Sequence, residues 1–222
     1  MRPESGSELA DDAALHAASL RHVYWLGGGS GAGKSTIARR LAARHDLRLY
    51  STDEAMTDHG RRITVQDYPF LSRFAAMDMD ERWVNRSPET MLETFHWFRG
   101  EVFGLIVEDL LLLPREPRVI VEGFRLLPHL VKPLLAGPDH AIWLLPTPGF
   151  RRAAFASRGS LLEIARKTSD PERALRNLLE RDRMFTARLG EETMRLHLRA
   201  IEVDITMTED DLAERVTEAL RL

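Results

Sequence analysis

Short apolar runs alternate along the chain with longer stretches whose apolar residues recur every three or four positions. Val23–Leu26, Leu47–Tyr50, Arg118–Val121, His140–Leu145 and Ala200–Val203 read as five strands, the first ended by glycines. Thr36–His45, with Ile37 and Leu41 on one face, reads as a helix, and so does Glu209–Leu220, with Leu212, Val216 and Leu220 inward. Pro88–Leu113 reads as one long helix. Ser87 is its natural N-cap, Pro88 takes the first helical position and Pro114 stops it, with Gly100 and Gly104 as points of bending. Leu126–Leu135 is a short helix, and Phe150–Leu189 is largely helical and arginine-rich. Met1–Ser7 is loose, and Glu8–Leu20 is an Ala-rich helix candidate with Ser7 as cap. From Ala55 to Arg86 the pattern blurs.

Strands that are apolar on both sides and separated by helices suit a parallel sheet covered on both faces. The expectation is an α/β domain spanning residues 1–222. Residues 1–20 form an N-terminal extension, and helical excursions occupy about 55–113 and 150–189. In an open parallel sheet, ligands collect at the carboxyl ends of the strands, where these excursions emerge.

Composition narrows the field. The 222 residues are 44% hydrophobic and 29% charged, with a formal net charge of -3. No basic field points to nucleic acid. There is no cysteine, which excludes thiolate metal sites and thiol nucleophiles. Asp11 and Asp12 stand where a secretory signal would be positive. The runs Val102–Val107 and Leu110–Leu113 fall far short of a membrane span. A cytoplasmic enzyme or switch is expected. Lysine occurs only at Lys34, Lys132 and Lys167, so a lysine inside a glycine cluster stands out.

That cluster is Gly28-Gly29-Ser30-Gly31-Ala32-Gly33-Lys34-Ser35-Thr36. Gly28, Gly33, Lys34 and Ser35 match G-x-x-x-x-G-K-[ST], with a strand before and a helix after. Glycines let backbone amides converge on an anion, and the helix start adds partial positive charge. Lys34 reaches the outer phosphates of a nucleoside triphosphate, and the Ser35 hydroxyl suits Mg²⁺. A dinucleotide fingerprint fits less well, because no acidic residue closes a second strand at that motif's spacing. The nucleophile-elbow look of Ser30 yields to Lys34 and Ser35.

With this motif the chain resembles the P-loop small-molecule kinases that include gluconate kinase, shikimate kinase and chloramphenicol phosphotransferase. The resemblance runs from His22 to Leu220 as an order of features. It implies a P-loop NTPase-type three-layer αβα sandwich with a central five-stranded parallel sheet, a helical acceptor-binding insertion and a lid. It implies transfer of the γ-phosphate of ATP, with Mg²⁺, to a hydroxyl. Asp53 in "LYSTDE" would orient that hydroxyl or hold a Mg²⁺-bound water, with Glu54 as fallback. Glu122 in "VIVEGF" would stand at the Walker B position and act on Mg²⁺ through water, while Gly123 would permit close ligand approach. The plain alternatives are a helix cap for Asp53 and pairing with Arg125 for Glu122. Arg151, Arg152, Arg158, Arg181, Arg183 and Arg188 form the lid set, from which Arg158 and Arg183 are put ahead of Arg151 as phosphate ligands. The loop in "EVDITMTEDD" would lie against the base, or simply turn into a helix capped by Thr208.

The acceptor is expected between the first excursion and the cradle. Arg61, Arg62, Arg82 and Arg86 suit an anionic acceptor, Glu101 a hydroxyl, and Trp83, Phe95, Trp97 and Phe98 a pocket wall. His96 reads as structural. The expected partner is a small-molecule acceptor, with neither nucleic acid nor membrane, and a homodimer stays open. A nucleoside or nucleotide kinase is the alternative within enzymes. A nucleotide-dependent switch or assembly NTPase is the alternative outside them, although the N-K-x-D motif is absent.

Overall fold

The computed structural model describes residues 15–63, 66–158 and 160–222, with side chains 155–161 outside the description. Residues 15–19 are helical, and the rest of the expected N-terminal helix, with its Ser7 cap, lies outside the described residues.

The sheet has five parallel strands: β1 (Val23–Gly28), β2 (Arg48–Ser51), β3 (Val119–Glu122), β4 (Ala141–Pro146) and β5 (Ala200–Val203), in the order β2-β3-β1-β4-β5. β2 takes the edge, β3 then fills the place between β2 and β1, and β4 and β5 extend the sheet on the other side of β1. Leu26 pairs with Glu122, Glu122 with Ser51, and Gly28 with Leu144. The carboxyl ends of β1, β2 and β3 therefore meet at one edge.

Each central strand sends alternate residues to opposite faces. Trp25, Val119, Val121 and Trp143 enter one buried cluster, and Leu26, Ile120, Ile142 and Leu144 enter the other. The second cluster is closed by α1 (Lys34–His45), through Ile37, Ala38 and Leu41, and by the C-terminal helix Glu209–Leu220 through Leu212, Val216 and Leu220. The C-terminal helix starts in a capping box between Thr208 and Asp211, which satisfies two end amides reciprocally.

The other face is covered by the first excursion and most of the second, whose Phe150 packs instead against the Leu26 cluster. The first holds α2 (Met56–Arg62), α3 (Pro69–Ala76), α4 (Met79–Trp83), α5 (Pro88–Thr94), a 3₁₀ turn at His96–Arg99 and α6 (Phe103–Leu112). Ser87 caps α5 as expected, its hydroxyl accepting the Thr90 amide. The single helix expected over Pro88–Leu113 is instead broken. The backbone turns extended at Phe95 (φ -74°, ψ 116°), which ends α5, and left-handed at Gly100 (φ 79°) and Val102 (φ 72°), which no helix can carry through. The short helix after β3 is α7 (Pro128–Val131), continued by a 3₁₀ turn. The second excursion contains α8 (Pro148–Arg158), α9 (Ser160–Ala165) and the 25-residue α10 (Pro171–Arg195). The C-terminal helix is α11. Among the described residues no helix is long and apolar enough to cross a membrane.

Candidate active site

The turn from β1 into α1 is the centre of the site. Gly31 (φ 77°) and Gly33 (φ 84°) carry left-handed backbone, open to glycine at little steric cost. Gly33 stands at the N-cap with no side-chain cap, and no acidic residue occupies the first turn of α1. The end amides, which have no acceptor within a helix, therefore keep their positive end for an anion. Lys34 is buried, and its Nζ donates to the Gly29 carbonyl at 2.8 Å.

Glu122 ends β3 beside this turn and is buried. Its Oε2 accepts from the Ser35 hydroxyl at 3.1 Å and its Oε1 from the Ser51 hydroxyl at 2.8 Å. The pairing with Arg125, the plain alternative for Glu122, is replaced by these two hydroxyls. A carboxylate and two hydroxyls form a hard oxygen set of the type Mg²⁺ prefers. Gly123 does not open space for a ligand. A Cβ there would lie 1.8 Å from Thr52 Oγ1, so Thr52 fills that space.

Asp53 lies in the exposed turn after β2. It does not cap α2, whose N-cap is Ala55 with no side-chain bond. Its charge acts on buried Arg125, whose pKa is lowered chiefly by burial and partly restored by Asp53. Arg125 donates to His59 Nδ1 at 3.4 Å, and His59 Nε2 meets Asp109 at 2.8 Å. Asp109 also accepts from Tyr50, at 2.6 Å, and from Arg62. Burial and the bond to Asp109 raise the Tyr50 pKa, so its phenol is a fixed donor.

Several expected acceptor ligands are committed elsewhere. Arg62 binds Asp109 and Glu108, tying α2 to α6. Both Glu101 oxygens accept amides of Phe70 and Leu71 at 2.9 and 2.8 Å. The carboxylate thus closes the start of α3 instead of facing a hydroxyl. Arg82 donates to the carbonyls of Phe74 and Ala75 at the far end of the same helix. Arg86 is bound at Thr90 and Thr94. Arg61 is exposed.

The arginines expected in a lid have different surroundings. Arg183 is half exposed and donates twice to Glu180. The side chain of Arg158 lies outside the described residues. Arg151 lies beside the turn. It is buried, its Nη2 donates to Thr186 Oγ1 at 2.7 Å, and burial lowers its pKa. Thr186 in turn abuts the turn, since a Cβ on Gly29 would fall 2.5 Å from its Oγ1.

Two cavities flank the glycine-rich turn. One, of about 300 Å³, is lined by Gly31, Gly33, Thr36, Phe150, Met207 and Leu212. The other, of about 290 Å³, reaches Ser30 and is walled by aromatic rings that include Trp83, Phe95, Trp97 and Phe98. Its polar members are Ser30, Arg181 and Asp182. Asp182 was not foreseen from sequence, and Arg181 was read only as a lid arginine. Their positions carried a signal. Leu178, Phe185 and Leu189 form a buried stripe on α10, and residues 181 and 182 fall on it at helical spacing. His96 packs among Phe74, Phe95 and Trp97. Burial lowers its pKa to about 4, which marks it as neutral and structural. Among the described residues no cluster of three His, Asp or Glu side chains suited to a metal ion occurs.

No protein-family model matches this sequence, and no curated protein matches it. Solved structures that match include the crystal structure of an uncharacterized protein from Eubacterium ventriosum ATCC 27560. It is 13% identical, with a TM-score of 0.43, over 90% of this chain and 97% of that chain.

Proposed function

We propose that this chain is an ATP-dependent phosphotransferase of the P-loop kinase type, moving the γ-phosphate of ATP to a hydroxyl of a small molecule. The observation that carries the reading is the placement of the G-x-x-x-x-G-K-S turn between two separate cavities. A hydrolase or a switch needs one pocket beside its phosphate loop, whereas a transferase needs two that meet there. The cavity lined by Thr36, Phe150 and Met207 takes the base. The one reaching Ser30 takes the acceptor.

Each group then has a role. The amides of Gly29–Ser35 and the start of α1 hold the phosphates. Lys34 exchanges the Gly29 carbonyl for a phosphate oxygen, and Arg151 neutralises charge that develops in the transition state. Asp53 accepts the acceptor's proton from its exposed turn. Mg²⁺ fits the oxygen set of Ser35 and, through water, Glu122 and Asp53, and when bound it supplies charge neutralisation on the β- and γ-phosphates. The aromatic walls of the acceptor cavity exclude water, which favours transfer over hydrolysis.

Titration calorimetry with Mg-ATP on the wild-type chain and on Lys34→Ala tests the first half of this reading. Coupled ADP detection with pools of hydroxylated metabolites tests the second. Magnesium-dependent binding lost in Lys34→Ala and acceptor-dependent ADP release are expected. No affinity for ATP or GTP overturns the reading, and ATP turnover indifferent to every pool points instead to a regulatory NTPase.

A further inference from the structure

Arg181 is a charged residue in an apolar place. It is 6% exposed, and its guanidinium carbon lies 5.3 Å from the ring centre of Trp83, 4.8 Å from Phe95 and 5.5 Å from Phe98. Its Nε and Nη2 both donate to Asp182 Oδ1, at 3.0 and 2.6 Å. Its Nη1 is buried with no hydrogen-bond partner among the described residues. Leaving such a donor unsatisfied is costly, and here that donor belongs to a residue that lines the aromatic cavity.

We infer that this cavity selects a flat heteroaromatic ring whose edge carries a carbonyl beside a ring N–H, with a hydroxyl-bearing arm directed toward Ser30. The carbonyl accepts from Arg181 Nη1. Both bonds from Arg181 fall on Oδ1 of Asp182, and the second carboxylate oxygen serves the ring N–H. The aromatic walls favour a planar partner by stacking and edge contacts. A volume of about 290 Å³ sits at the small end of ligand pockets, roughly 300 Å³ and upward, and suits one ring system with a short arm. A polyhydroxylated chain would bury its hydroxyls against rings that cannot answer them. A phosphorylated acceptor would meet a guanidinium already neutralised by Asp182. The role of the arm's hydroxyl rests on the phosphotransferase reading; binding of the ring does not.

Trp83 and Trp97 line the cavity, so intrinsic fluorescence reports its occupancy. The full chain, without nucleotide, is titrated with thymidine, N3-methylthymidine, benzyl alcohol and gluconate. Thymidine should quench saturably and bind at least about tenfold tighter than benzyl alcohol, the worth of one buried hydrogen bond. N3-methylthymidine, which keeps the carbonyls and lacks the N–H, should lose about tenfold by the same measure. Gluconate should not bind. Equal affinities for thymidine and benzyl alcohol, or a preference for gluconate, overturn the inference. Arg181→Gln should erase the preference for thymidine. Because that guanidinium packs within the core, Ile164→Trp is its companion. It narrows the cavity from a partly exposed rim position and leaves the pair intact. A folded Ile164→Trp chain that binds thymidine unchanged also overturns the assignment. Thymidine binding by a chain with no affinity for Mg-ATP would remove the kinase reading alone. ATP-dependent turnover of gluconate without thymidine binding would remove the cavity assignment alone.

Discussion

The hydroxyl of Ser35 donates to the carboxylate of Glu122 across 3.1 Å, joining the first turn of α1 to the end of β3. These two residues are 87 positions apart in the chain, and the parallel register of β1 with β3 brings them together. A carboxylate so placed tunes whatever cation the hydroxyl holds. Glu122→Gln keeps the shape and removes the charge. The magnesium-dependent part of the ATP affinity should weaken about 10–100-fold, the usual cost of losing such a supporting group. Calorimetry with and without magnesium measures it.

Arg151 and Arg183 separate a buried arginine from a solvated one. Arg151→Gln removes the group bound to Thr186 beside Gly29, and kcat should fall by about 100-fold or more. Arg183→Gln breaks an exposed pair with Glu180, so kcat and Tm should stay at wild-type values. Equal losses in the two variants would contradict the placement of the lid arginines.

Asp53 is exposed and caps nothing, which frees it for proton transfer. Asp53→Asn should lower kcat by about 10² to 10⁴-fold while the ATP affinity holds. A wild-type kcat in this variant, measured by coupled ADP release, removes Asp53 from the reaction.

His96 ties stability to pH. Its pKa is about 4 in the folded chain against 6.5 as the ordinary value. Above the ordinary value both states are neutral and the histidine contributes no pH dependence. As pH falls from about 6.5 to about 4 only the unfolded chain takes up the proton, and stability declines. The loss is on the order of 3 kcal/mol. Urea melts across this range should show the decline, and His96→Phe should reduce it, leaving the share of His22 and His45, whose pKa values burial also lowers.

The glycine-rich turn, the five strands and the closing helix were legible because each writes itself locally. A buried parallel strand is an unbroken apolar run, as in Val119–Val121, and a cap such as Thr208 sits three residues from its partner Asp211. The break after Pro88 was not legible. Apolar spacing continues past Phe95, where extended backbone ends α5, and across Gly100 and Val102, where the backbone turns left-handed. Two of the expected acceptor ligands are committed elsewhere for a related reason. Arg82 and Glu101 look like free surface charges in a one-dimensional reading, but helix ends need partners, and these two supply them to α3. Arg181 declares itself only when Trp83, Phe95 and Phe98 arrive from more than eighty residues upstream.

A single rod touches both halves of the site. Along α10, Arg181, Asp182 and Phe185 face the aromatic cavity, and Thr186, one step further, presses on Gly29. Phe185 is also stacked on Phe98 at 3.7 Å. At 1.5 Å per residue the helix runs about 37 Å, too stiff to bend between neighbouring side chains. Whatever shifts this strut at one end of the pair is transmitted to the other, so a guest that wedges Phe185 aside also reshapes the glycine-rich turn.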